Sequence, residues 1–188
     1  MVINKMKKVV GVVVGLCVLF MLVGVSWSEK INLRANEKKI WLEFKNLIPK
    51  DRWITVQEFH KIWQEVLAGK RKAYMIDVRT DSEFNAFHIE GTDHVQAGHW
   101  YVLPRKIKDP NAEIYIICRT KHRAVYVTGF LYKCGYKNVY IVDGGMLAWA
   151  KAGYPFVNRF TGQFKIIRYR QHPSKKELSY RLRLWDYH

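Results

Sequence analysis

Apolar positions recur along the middle of the chain in two alternating periods. Short apolar runs at Ala73–Val78, Glu113–Ile117 and Asn138–Val142 read as buried strands. Between them, Val56, Phe59, Ile62, Trp63, Val66 and Leu67 fall at helical spacing behind a Thr55-x-x-Glu58 capping box, with Gly69 as the stop. A second box, Thr80-x-x-Glu83, opens a short helix. A further helix is predicted from about Arg123 to Lys133, ended by Gly135, and Met146–Lys151 is a short one after the Asp143-Gly144-Gly145 turn. Strands alternating with helices predict an α/β domain with a parallel sheet covered on both faces.

The ends follow other rules. Lys5, Lys7 and Lys8 precede an uncharged apolar run from Val9 to Val25, whose length as a helix is roughly 26 Å. Trp27 sits where an interfacial aromatic belongs, while Ser26-Trp27-Ser28 resembles a cleavage site. Residues 1–28 therefore read as a signal anchor, or as a cleaved signal peptide, with the domain exported. Residues 29–52 read as a basic linker with a short helix around Ile40–Leu47. Beyond residue 156 the chain continues as a basic, aromatic extension over 157–188. There Leu178, Tyr180, Leu182 and Leu184 alternate with Ser179, Arg181 and Arg183, which suits a hairpin. Ser174-x-x-Glu177 leaves a C-terminal helix as the alternative.

The 188 residues hold 32 Lys and Arg against 16 Asp and Glu, a net charge of +16. Almost all of it lies in the flanks, and residues 73–156 are close to neutral. A nucleic-acid-binding domain would carry its positive stripe on the folded core, so no nucleic-acid partner is expected. Basic flanks fit an anionic membrane surface, reached through the N-terminal segment and the basic tail, or an acidic partner. Three cysteines exclude a disulfide scaffold. His94 and His99 lack a carboxylate or cysteine at ligand spacing, so no metal is expected, and nothing calls for a cofactor.

The chemistry points to Cys118. It follows a strand and precedes a helix, where open α/β sheets bind ligands and where free amides favour an anion. Such a position predicts a depressed thiol pKa. The stretch Cys118-Arg119-Thr120-Lys121-His122-Arg123 sets three cations beside one cysteine. That pattern suits the approach of a negatively charged sulfur compound to a thiolate. Cys134 follows the helix and reads as a small core residue, too far away to resolve a disulfide.

From about Trp53 to Phe156 the chain resembles the rhodanese-like domains. The resemblance rests on Ile76-Asp77-Val78-Arg79, Glu83-Phe84, His88-Ile89-x-Gly91, the strand Ile114–Ile117 with Cys118 and Arg123, Gly135-Tyr136-x-Asn138-Val139, Gly144-Gly145-x-x-x-Trp149 and Ala152-Gly153-Tyr154-Pro155. It implies a five-stranded parallel sheet with helices on both faces over residues 53–156, and a loop cradling a cysteine persulfide. It also implies a sulfurtransferase: Cys118 takes sulfane sulfur from thiosulfate or a similar small anionic donor and passes it to cyanide or a thiol. Arg119, Thr120, Lys121, His122 and Arg123 would bind the donor, and Asp77 and Arg79 would support the loop. His88 would be structural. The alternative is a binding or sulfur-carrier module that serves a protein partner without turnover. Lys121 stands where many family loops have glycine, which predicts backbone strain of roughly 1 kcal/mol if the loop keeps a left-handed residue there. Related phosphatases place arginine one residue later, where this chain has Ala124, and the shorter loop suits sulfur rather than phosphate.

Overall fold

The structure is a computed structural model that describes residues 31–167. Residues 1–28, read from the sequence as a signal anchor or signal peptide, and the alternating stretch 178–184 lie outside the described residues. Among the described residues no helix is long and apolar enough to cross a membrane.

Five strands form one parallel sheet in the order β1-β5-β4-β2-β3. They are β1 Trp53–Ile54, β2 Tyr74–Asp77, β3 Asp93–His94, β4 Ile114–Ile117 and β5 Val139–Val142. The helices are α1 Leu33–Asn46, α2 Val56–Leu67, α3 Asp81–Ala86, α4 Leu103–Lys106, α5 His122–Lys133 and α6 Gly145–Lys151. Short 3-10 turns at Lys50–Arg52 and Ala97–Val102 complete the described elements.

β4 lies at the centre of the sheet and all four of its residues are buried, as an unbroken apolar run demands when helices cover both faces. Alternation along the strands divides the core in two. Ile76, Ile114 and Ile116 face the side covered by α5, where Val125 and Leu131 meet them. Met75, Tyr115 and Ile117 face the side covered by α2 and α6, where Phe59, Trp63, Met146 and Trp149 pack. Both capping boxes form. The Glu58 amide donates to Thr55 Oγ1 and the Thr55 amide to Glu58 Oε2; Thr80 and Glu83 repeat the arrangement at the start of α3.

The segment read as a linker, 29–52, holds the longest described helix. α1 runs from Leu33 to Asn46, and Phe44 and Ile48 enter the core beside α5. Gly129 of α5 makes room for it: a Cβ there would lie 2.3 Å from the Phe44 ring. The packed domain thus begins well before Trp53.

Candidate active site

β4 delivers Cys118 at its C-terminal end, and the chain turns through residues 119–121 before α5 begins at His122. The Cys118 side is almost closed to solvent, at 1% exposure. The backbone amides of Ala124, Thr120 and Arg123, at and just before the start of α5, favour the anionic form of its sulfur. A second helix secures the other side of the loop. The amides of Met146 and Leu147, in the first turn of α6, donate to the carbonyls of Cys118 and Arg119 at 2.9 and 3.0 Å. This docking needs glycine at 145. Its φ is +50°, and a Cβ would sit 2.1 Å from the Cys118 carbonyl oxygen.

The electrostatics differ from the expected depressed thiol. Burial pushes the Cys118 thiol up; the amides of Ala124 and Thr120 and the charge of Arg123 pull it down, but by less. Desolvation of a thiolate at 1% exposure outweighs three oriented amides.

Arg123, Lys121 and His122 each face a carboxylate on another element. Arg123 donates to both oxygens of Glu83, at 2.6 and 2.9 Å, although the two are 40 residues apart. Burial alone would raise the Glu83 carboxyl, but the Arg123 and Thr80 hydrogen bonds together hold it at about 2. Lys121 Nζ lies 3.2 Å from Asp143 at the end of β5. His122 Nε2 lies 3.3 Å from Glu37 of α1, its ring stacks on Trp41, and Tyr126 also donates to Glu37. The loop therefore gathers Cys118, the Thr120 amide and Arg123 around the sulfur, while the side chains of Lys121 and His122 point to carboxylates at its rim. Glu83, Asp143 and Glu37 were not singled out in the sequence as partners. Glu83 carried a signal only as a capping residue.

Lys121 has φ −163° and ψ −17°, and no described non-glycine residue has a positive φ. The loop thus accommodates lysine with an extended φ, and the expected left-handed strain is absent. Cys134 also departs from expectation. It caps the end of α5 and is exposed rather than buried in the core.

Below the loop, Asp77 and Arg79 form a buried ion pair at 2.7 Å, at 0% and 2% exposure. Arg79 also donates to the Phe87 carbonyl at 2.6 Å, and its guanidinium lies over the Phe87 ring. The pair fixes the turn after β2 to the segment that leaves α3. A buried pair so fully hydrogen-bonded is costly to break from one side. His88 Nδ1 is 3.0 Å from the Phe84 carbonyl and its ring stacks on Phe84. His94 Nε2 is 2.9 Å from the Arg79 carbonyl. Among the described residues no group of His, Cys, Asp and Glu is placed to hold a metal.

Comparison with known proteins matches this geometry to one family. Residues 60–152 match the family described as rhodanese-like domain. A putative sulfurtransferase, YtwF, of Bacillus subtilis is 34% identical over 88 residues, which cover 46% of this chain and 82% of the relative. Thiosulfate sulfurtransferase GlpE of Tolumonas auensis is 30% identical, over 44% of this chain and 76% of the relative. Among solved structures, the polysulfide-sulfur transferase homodimer of Wolinella succinogenes superposes with a TM-score of 0.53 at 21% identity, covering 75% of this chain and 96% of its own. That likeness concerns the fold. With the parallel sheet, the cysteine loop at the end of its central strand, and relatives of this similarity and coverage, the chain belongs to the rhodanese-like domain family.

Proposed function

We propose that the protein is a sulfurtransferase that moves sulfane sulfur from thiosulfate, or a similar small anionic donor, to a thiophilic acceptor through a persulfide on Cys118. The observation that carries this reading is the place of Cys118, at the C-terminal end of the central strand β4, in a loop that runs into the N-terminal amides of α5 and whose carbonyls are held by the first turn of α6. Oriented amides stabilise a sulfur anion without reorganising during the reaction. The sulfurtransferase names of two relatives support the same class.

In the first half-reaction the Cys118 thiolate attacks the outer sulfur of thiosulfate. A new S–S bond forms, the old one breaks, and its electron pair leaves with sulfite. The enzyme is left as the Cys118 persulfide anion, one atom further out than the buried thiolate. In the second half-reaction cyanide, or a thiolate, attacks that terminal sulfur, and the electron pair returns to Cys118. This is covalent catalysis in two steps, with ping-pong kinetics. Arg119 and Arg123 stand in the loop as counter-charges for donor and leaving group. Asp77 and Arg79 support the loop from below.

Mass spectrometry after incubation with thiosulfate tests the reading. A gain of one sulfur atom is expected on the peptide containing Cys118, lost on adding cyanide with release of thiocyanate. Cys134→Ser should keep the gain, and Cys118→Ser should lose it with a fall in turnover of at least about a thousandfold. Absence of the gain in folded wild-type protein would overturn thiosulfate transfer. We further propose that residues 1–28 hold the domain at a membrane, on its exported side. The support is Lys5, Lys7 and Lys8 ahead of the apolar run. Membrane fractionation of the full chain checks it.

A further inference from the structure

Lys121 is the loop cation whose position invites a functional question. It stands beside the nucleophile in sequence, yet its ammonium is 3.2 Å from Asp143, and both side chains are about half exposed. Asp143 is the fixed member of this pair. Its own amide donates to the Ile54 carbonyl at 2.9 Å, and its Oδ1 accepts the Gly144 amide at 2.9 Å. Gly144 leads directly into the first turn of α6, which is bonded to the carbonyls of Cys118 and Arg119. The carboxylate is thus held by backbone against the loop. Lysine is the flexible member, with four rotatable carbons and a point charge.

We infer that Asp143 competes with the anionic donor for Lys121, and so sets how tightly the protein binds a dianionic sulfur donor. The inference rests on the sulfurtransferase reading above. A half-exposed pair is weak, because solvent screens it and holding a long side chain costs entropy. A donor carrying two negative charges at the mouth of the loop offers Lys121 a stronger partner than one carboxylate does. Lys121 then leaves Asp143 as the donor arrives and returns when sulfite departs. Asp143 acts through Lys121 and touches no reacting atom, so it is a positioning residue. Its presence weakens donor binding in the ground state and eases release of the anionic product.

A double-mutant cycle tests this with thiosulfate as the donor and cyanide as the acceptor. Asp143→Asn keeps an oxygen for the Gly144 amide and removes the charge. It should lower KM for thiosulfate by about threefold, the size of effect an exposed ion pair supports. Lys121→Ala should raise KM. In the Lys121→Ala background Asp143→Asn should change KM by no more than the error, because its partner is gone. The threefold gap should also shrink as salt is added. An unchanged or raised KM in Asp143→Asn, or an equal effect in both backgrounds, overturns the inference. Thermal melts of all variants establish that each is folded. Mass gain on Cys118 is read in the same samples. If wild type takes up sulfur and the cycle shows no coupling, only the role of Asp143 fails; if wild type takes up none, the parent reading fails and this one with it.

Discussion

Glu83 and Arg123 face each other as a two-point clamp, with both carboxylate oxygens engaged. The same carboxylate accepts the Thr80 amide that closes the start of α3. One residue therefore ties the helix after β2 to the first turn of α5, which carries the amides facing Cys118. A loop built on backbone groups is positioned by few side chains, and this is one of them.

The clamp predicts an acid-sensitive contribution to stability. Glu83 is held at about 2 against an ordinary 4.5, so its stabilisation is complete above about 4.5 and is lost as pH falls through 2. Glu83→Gln should destabilise by about 1–2 kcal/mol at about pH 6, allowing for its partial exposure. Denaturant unfolding of both proteins should show the difference shrinking toward zero by about pH 2. A gap that is independent of pH would show that the carboxylate charge plays no part.

The raised thiol predicts chemistry that also rises with pH, and a stability contribution of the opposite slope. Burial lifts Cys118 above its ordinary 9.0, so the neutral thiol is the resting form. Sulfur uptake from thiosulfate, and alkylation of Cys118 by iodoacetamide, should both climb with pH up to about 9 without levelling. The stability sign also follows. Because the folded value is raised, the contribution of the neutral thiol is intact at neutral pH and is lost as pH rises through that value. A plateau below pH 8 would mean that the amides outweigh burial.

Gly145→Ala should damage the loop without touching Cys118 itself. The new methyl would collide with the Cys118 carbonyl and would also force a side chain onto a positive φ. The expected loss is about 2–4 kcal/mol, with slower sulfur uptake in whatever remains folded. Gly98→Ala, where a Cβ meets nothing within 4 Å, is the control and should stay within about 0.5 kcal/mol. Thermal melts compare the two.

Phe44→Ala measures how far α1 belongs to the domain. Phe44 is 5% exposed, and its ring packs against Phe130 at 4.6 Å between centroids. Removing it should cost about 3–5 kcal/mol, as for a buried core aromatic. A cost under about 1 kcal/mol would return residues 33–46 to the status of a linker.

Three strands and four helices, α2, α3, α5 and α6, could be read from the sequence because each depends on neighbours within a few positions. The apolar runs of β2, β4 and β5 and the boxes at Thr55 and Thr80 are such local signals. β1 and β3 are two residues each and carry no period to detect. Of α1 only the second half was legible, as the short helix around Ile40–Leu47, because its inward residues, Trp41 and Phe44, stand among lysines, while Leu33 and Ile40 remain exposed. The cysteine and its loop were also legible, since strand, turn and helix follow one another in order. The carboxylates that pair with the loop were not. Glu83, Asp143 and Glu37 reach it from three different elements, and only the folded chain brings them within 2.6–3.3 Å. The sign of the Cys118 shift was missed for a related reason. Charge in the loop is visible in the letters, but the depth of the sulfur is not.

Among the described residues, the contrast between a buried Cys118 and an exposed Cys134 bears on what a thiol assay counts. A bulky disulfide reagent will reach the sulfur at the end of α5 before that of Cys118, and air oxidation of stored protein will consume it before that of Cys118. A loss of free thiol on ageing will therefore run ahead of any loss of turnover. A titrated thiol on this chain is a poor measure of working sites, and the sulfur on the surface shields the one within by being spent before it.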